Sequence, residues 1–319
     1  NGISGIRVHD GESGSLLSIP EGYIWQDIGN YYGAGTSLVN WNENQYDIRF
    51  ESTAFGKSAK ISGTDPPQTH VTFTNDIKAA APGSGDNAFI FCAPFTTMAY
   101  LKGTIPAGSS FKISGAMPHA SLSLAQELYR KIRAAGMMAD SNLTTTSQVS
   151  GPFEKGSIVA EHKSPAFDSL NFYFLRRSVN LYGEAFVKTI AKEKTGQYSL
   201  DTGLNIIRYF WSQRGIDKSA INIADGSGLS PQNRVTADAL VKVLQFARTR
   251  SWYNSFYTAL PVYNGMKLKS GSIGGSRAFA GYHTSVSGTT YSIAMLINNY
   301  DGSSATAVNK MFKLLDLLK

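Results

Sequence analysis

From residue 1 to about residue 114 the apolar positions recur every second residue in short runs. Tyr46-Asp47-Ile48-Arg49-Phe50 alternates, as does Val71-Thr72-Phe73, and clusters of Gly, Pro, Asn and Ser separate the runs. A period of two marks half-buried strands, so this half predicts a β-rich module. One helix follows, with Leu122, Ala125, Leu128, Tyr129 and Ile132 on a single stripe and Gly136 as a stop. From Asp140 to Gly156 the chain is polar and aperiodic, which predicts a linker. The period then changes. Leu181–Ile190, Thr202–Trp211 and Thr236–Arg248 carry apolar residues at three- and four-residue spacing and predict helices. Strands are predicted at Gly265–Ser270, Arg277–His283 and Tyr291–Asn298, the last two joined by a Ser287-Gly288 turn. A final amphipathic helix carries Val308, Met311, Phe312, Leu315 and Leu318. Helices, then three consecutive antiparallel strands, then a covering helix predict an α/β sandwich.

Composition narrows the function classes. With 42% hydrophobic residues in 319, the chain can fill real cores. Its net charge of +7 is spread without a dense Lys/Arg block, so nucleic acid is not an expected partner. The lone Cys92 lies in the apolar run Ala88-Phe89-Ile90-Phe91-Cys92 and reads as a buried small hydrophobe. No run approaches the roughly 18 apolar residues of a membrane span, and Asn1-Gly2-Ile3-Ser4-Gly5 has neither a basic start nor an apolar signal core. His9, His70, His119, His162 and His283 show no metal-ligand spacing, and no Gly-rich phosphate loop precedes a helix, so no metal or cofactor is expected.

Two segments together suggest chemistry. In Ser178-Val179-Asn180 a hydroxyl and an amide two positions apart open a helix, a weak signal alone because Ser and Asn are ordinary capping residues. In Lys269-Ser270-Gly271-Ser272 a lysine, a hydroxyl and a glycine lie on an edge strand. Such a strand can pair with an extended peptide, its lysine and hydroxyl can attract a terminal carboxylate, and a side chain at Gly271 would block the approach. Ser178 and Lys269 are 91 positions apart, enough for the helices between them to bring them together from opposite walls of a cleft.

Ser-x-x-Lys, Ser-Asp-Asn and Lys-Thr-Gly are the signature of β-lactamases and penicillin-binding proteins. Ser178-Val179-Asn180 resembles the second of these and Lys269-Ser270-Gly271 the third. Other segments are similar to the penicillin-binding protein 4 type of D-alanyl-D-alanine carboxypeptidase/endopeptidase. They are Ile19 to Ala34, whose specific part is Trp25–Ala34, Gly103-Thr104-Ile105-Pro106, Tyr198 to Gly203, and Asp225-Gly226-Ser227-Gly228-Leu229-Ser230. The resemblance implies an α+β chain, with β-rich inserted domains over residues 1–150 and the C-terminal portion of a serine transpeptidase/β-lactamase-like sandwich over 151–319.

It also implies serine acyl-enzyme chemistry on peptidoglycan stem peptides, binding of β-lactams by the complete enzyme, and export to the periplasm or cell envelope. The oligomeric state stays open. In this likeness Ser178 shuttles a proton, Asn180 holds the substrate backbone, Lys269 and Ser270 bind the terminal D-alanine carboxylate, and the Ser272 N–H forms half of an oxyanion hole. Asp27 and Tyr32 approach the side-chain terminus of the substrate. Ser270 stands for the usual threonine, and Pro231 for a basic residue whose part Arg234 could take.

Two segments imitate motifs of this signature. Lys194-Thr195-Gly196 spells the third, yet reads as a helix end with a glycine C-cap. Ser109-Ser110-Phe111-Lys112 is the only Ser-x-x-Lys, but its alternation, with Gly115 and Pro118 beyond, predicts a strand that points serine and lysine apart. The nucleophile is therefore expected upstream of Asn1, which makes this chain alone inactive. The alternative is a naturally short, non-catalytic peptidoglycan-binding or scaffold protein.

Overall fold

The computed structural model describes residues 2–11, 18–51, 53–108, 110–147, 149 and 156–319. They form two compact units, 1–159 and 160–319. No described helix is long and apolar enough to cross a membrane.

In the first unit the elements are β1 (Ile6–Val8), α1 (Trp25–Ile28), β2 (Gln45–Phe50), β3 (Ile61–Asp65), β4 (Thr72–Ala80), β5 (Asn87–Phe91), β6 (Met98–Pro106), β7 (Phe111–Ala116), α2 (Ala120–Ala134) and β8 (Leu143–Thr145). Two three-stranded sheets, β3-β2-β7 and β4-β6-β5, share a core. Tyr46, Ile48 and Phe50 from β2 meet Ile77, Ile90, Leu101 and Ile113 there. The alternation read from the sequence is this burial: every second residue of β2 points inward. Cys92 lies in the same core, and burial pushes its thiol up to about 11.

Two expectations for this unit need correction. The stretch after α2 is not a bare linker, because Leu143–Thr145 pairs in parallel with β1. Its polar residues have a buried partner instead of solvent: the Asp10 carboxylate accepts from the Ser147 N–H (3.0 Å), the Ser147 hydroxyl (2.8 Å) and the Thr146 hydroxyl (3.1 Å). Residues 150–155 of that stretch lie outside the described residues. In α2 the buried residues are Ser121, Ser123 and Ala125, while Leu128 is 46% exposed. Hydrogen bonding decides this, since Ser123 donates to the buried Gln68 at 3.2 Å and so is satisfied inside.

The second unit contains α3 (Phe167–Arg177), α4 (Asn180–Thr195), α5 (Leu200–Ser212), β9 (Ile221–Asn222), β10 (Arg234–Val235), α6 (Ala237–Arg248), α7 (Tyr253–Ala259), β11 (Val262–Tyr263), β12 (Met266–Ile273), β13 (Ser276–Thr284), β14 (Thr290–Asn298) and α8 (Ser304–Leu315). The last four strands form one antiparallel sheet, β11-β12-β13-β14. One face packs Met266, Leu268, Phe279 and Ile293 against Met311 and Leu315 of α8. The opposite face packs Tyr282 and Ala280 against Leu175, Leu244 and Ala259 from α3, α6 and α7. This is the expected α/β sandwich. The helices α3 and α7 were not legible as periodic stripes, because aromatic residues occupy several faces of both.

β12 is an edge strand only in part. Pairing with β11 covers Met266 and Lys267, and the Leu268 N–H donates to the Pro261 carbonyl at 3.0 Å. From Lys269 onward no described strand pairs with that side.

The Gly103-Thr104-Ile105-Pro106 segment has a packing cause. Gly103 has φ +118°, and a Cβ there would lie 2.2 Å from the Asn87 carbonyl oxygen of the neighbouring strand. Gly103→Ala is expected to destabilise the protein by roughly 2–4 kcal/mol in urea denaturation, at the upper end for a single methyl, since strain and overlap act together. A change under about 0.5 kcal/mol would show that the strands part easily there.

Candidate active site

Helix α3 ends at Ser178, which takes the left-handed conformation (φ 56°, ψ 43°) while its N–H still bonds to the Phe174 carbonyl at 2.7 Å. That conformation costs a residue with a Cβ about 1–2 kcal/mol, and such strain concentrates at functional positions. It reverses the chain so tightly that Val179 is the N-cap of the next helix and Asn180 its first residue. Ser178 is exposed and Asn180 half-buried at this corner.

Strand β12 supplies the other side. Its register pairs Lys269 with Ala280, Gly271 with Ala278 and Ser272 with Arg277. Alternation therefore sends Lys269 to the face of the sheet shared with α3. There its ammonium donates to the Ser178 hydroxyl oxygen at 2.8 Å and to the Ser270 carbonyl at 2.8 Å. Burial lowers the Lys269 pKa below the usual lysine range. A lysine poised in this way and bonded to a hydroxyl can pass a proton in either direction.

Ser270 joins the pair through its carbonyl. The pleat turns its side chain to the opposite face, where the hydroxyl donates to the Tyr263 hydroxyl at 3.1 Å. Gly271 and Ser272 are exposed along the unpaired edge. A Cβ at Gly271 would meet only the Ala278 Cβ, at an ordinary 3.6 Å. Packing within the fold therefore does not require this glycine, whereas backbone approach from outside would.

The Asp225–Ser230 segment is a loop tied by carboxylates. Buried Asp225 accepts from the N–H groups of Gly228 (2.5 Å) and Ser230 (2.6 Å). Glu184 of α4, fully buried, accepts from Gly226 (3.1 Å) and Ser227 (2.9 Å). Helix and loop touch glycine to glycine: a Cβ on Gly183 would lie 2.5 Å from the Gly226 oxygen. One turn further along α4, burial depresses buried Lys188 to about 8, while the Glu184 charge pulls the other way. Beyond the loop, Pro231 is exposed, and Arg234 is exposed on β10 opposite Asn222.

In the first unit the Trp25–Ala34 segment is a tight staple on β5. The Asn30 side chain accepts from the Ile90 N–H at 3.1 Å and donates to the Gln26 carbonyl at 2.7 Å. Gly29 sits so close that a Cβ would be 2.0 Å from the Ile90 oxygen. This fold brings Asp27 and Tyr32 into a side-chain hydrogen bond. Burial raises the Asp27 pKa, with the Tyr32 bond opposing, and Tyr32 is pushed up to about 12 by burial and by the neighbouring Asp27 charge.

The imitations fall away from these groupings. Lys194 is in the last turn of α4, and Gly196 is its left-handed C-cap. Ser109 lies outside the described residues, while Lys112 is on β7, paired with Asp47 at 2.7 Å. Among the described residues no group of three His, Cys, Asp or Glu could hold a metal ion. Glu184, Lys188 and Tyr263 were missed from sequence. The one signal for the first two, the four-residue spacing Asn180-Glu184-Lys188, looks like any polar helix face.

Lys269 is charged below its pKa, and burial moves that pKa down, so it should lose its charge at a lower pH than a free lysine. Its Nζ, followed by NMR, is expected to titrate with a midpoint below about 10.4. A midpoint at or above that value would mean the ammonium is not desolvated.

Residues 15–265 match the model of the D-Ala-D-Ala carboxypeptidase 3 (S13) family. A D-alanyl-D-alanine carboxypeptidase of Actinomadura sp. (strain R39) is 32% identical over 114 residues, 36% of this chain and 21% of that protein. Carboxypeptidase DacB of Mycolicibacterium smegmatis is 26% identical over 183 residues, 50% of this chain and 40% of that protein. The chain thus matches less than half the length of either relative. Penicillin binding protein 4 (dacB) from Haemophilus influenzae has a similar structure, with a TM-score of 0.73 at 16% identity, covering 92% of this chain and 72% of that one. A structure of the same protein complexed with a novel beta-lactam gives 0.72 at 18%, covering 89% and 71%. At such identities the likeness is one of fold.

Proposed function

Because the chain belongs to the D-Ala-D-Ala carboxypeptidase 3 (S13) family, we propose that it supplies two walls of a serine peptidase site acting on D-Ala-D-Ala termini of peptidoglycan stem peptides in the cell envelope. The 2.8 Å contact between Lys269 and Ser178 carries this reading, because it joins two family-like segments 91 residues apart. In this reading the nucleophilic serine, with a lysine one helical turn behind it, is contributed by neither of these two walls. The serine gives its proton to the lysine one turn behind it, its oxygen attacks the carbonyl carbon between the two D-alanines, the C–N bond breaks, and that proton is relayed through Ser178 to the departing amine. Water then cleaves the acyl-enzyme.

In this reading Asn180 holds the substrate backbone, and Lys269, steadied by the Ser270 carbonyl, binds the terminal carboxylate. The unpaired edge at Gly271 and Ser272 takes the extended peptide, and the Ser272 N–H faces the oxyanion. Residues 1–150 are the inserted domains and 151–319 the C-terminal portion of the transpeptidase-like domain. In this reading β-lactams acylate the complete enzyme, supported by the similar fold of a Haemophilus influenzae penicillin binding protein 4 complexed with a novel beta-lactam.

In the complete protein, Lys269→Ala is expected to slow acylation by labelled penicillin roughly ten- to a hundredfold, the loss of one charge-assisted contact of about 1.5–3 kcal/mol. Unchanged acylation kinetics in a folded variant would remove Lys269 from the site.

Asp27 and Tyr32 bind the free amine at the side-chain end of the stem peptide, a reading supported by their mutual hydrogen bond and half-buried setting. Asp27→Asn should therefore weaken turnover of peptides carrying that amine and spare those lacking it. Equal effects on both, in steady-state kinetics, would leave the pair a purely structural role.

A further inference from the structure

We propose that Glu184 is the positioning residue of this site: its carboxylate fixes the Asp225–Ser230 loop to helix α4 one turn beyond Asn180, so that loop and asparagine move as one body. The inference rests on the reading that Asn180 holds substrate. Glu184 follows Asn180 by four residues in α4 and is fully buried, so both lie on one helix face. Two loop N–H groups, from Gly226 and Ser227, converge on the same carboxylate oxygen at 3.1 and 2.9 Å. The contact has no slack, since a Cβ on Gly226 would lie 2.3 Å from the Gly183 oxygen. The far side of the loop is locked independently, with Asp225 accepting from Gly228 and Ser230, and Asn233 accepting from Ala224 at 2.8 Å and donating to the Ser230 carbonyl at 2.9 Å.

Stability accounts for part of this arrangement, because without an acceptor the Gly226 and Ser227 N–H groups would be costly to bury. Here a second buried charge, Lys188, accompanies the first, facing Glu184 and lying 5.7 Å from the centre of the Tyr198 ring. What a carboxylate adds over a hydrocarbon is direction. Its lone pairs hold two amides at fixed angles and so hold the distance from loop to Asn180.

The test uses the complete protein and a labelled penicillin, with the noncovalent dissociation constant separated from the first-order acylation constant. Glu184→Ala is expected to reduce the acylation constant about a hundredfold, the effect of roughly 1 Å of misplacement, while the dissociation constant stays within about threefold. Glu184→Gln keeps an acceptor of the same reach at about half the hydrogen-bond strength, and is expected to lose only three- to tenfold. If Glu184→Ala does not fold, Glu184→Gln decides alone. Folded variants that melt lower yet acylate at the wild-type rate constant would overturn the proposal and leave Glu184 a fold residue. A wild-type protein that is not acylated at all would overturn the acyl-transfer reading and this inference with it.

Discussion

Holding a lysine ammonium 2.8 Å from the hydroxyl of Ser178 places a demand on two parts of the chain that have no local reason to meet. On one side the demand falls on the pleat of β12. A register shift of one residue would turn Lys269 toward α8 and bring Ser270 to the side of Ser178. That register is fixed by Met266 and Leu268, both almost fully buried against α8, and by seven paired positions with β13. On the other side it falls on a serine held left-handed between two helices. Core packing on both faces of the sheet, through Leu175 and Tyr282 on one and Phe279 and Met311 on the other, makes the two sides meet.

Around this contact the structure uses buried carboxylates and amides as fasteners for irregular backbone. Loops carry unpaired N–H groups that would be costly to bury, and a side chain with several acceptors satisfies them at one point. Asp225 and Glu184 do this for the glycine-rich loop beside α4, and Asn30 and Asp10 do it in the first unit. Two of the family-like segments, Trp25–Ala34 and Asp225–Ser230, contain such a fastener. Gly29 and Gly226 within them, and Gly183 of α4 facing Gly226, stand where backbones touch and a Cβ cannot fit. Much of what makes the segments recognisable is therefore the mechanics of close approach, with the chemistry confined to a few exposed groups.

The amino-acid pattern by itself determined the elements whose burial is one-sided. The alternation in β2, the apolar stripe of α8 and the three strands from Met266 to Asn298 were legible because each puts apolar groups on one face at the period of its own geometry. So were the pairing of Ser178 with Lys269 as candidates and the dismissal of Lys194, whose Gly196 caps a helix. Tertiary structure alone decided the rest, because a polar residue looks the same in sequence whether water or a buried partner satisfies it. Nothing local separates Glu184 and Lys188 from an exposed helix face, Ser147 from a linker serine, or the Ser270 hydroxyl bonded to Tyr263 from one turned toward Lys269. Those choices depend on which donor or acceptor a distant segment brings within 3 Å, and a pattern read along the chain carries no such distance.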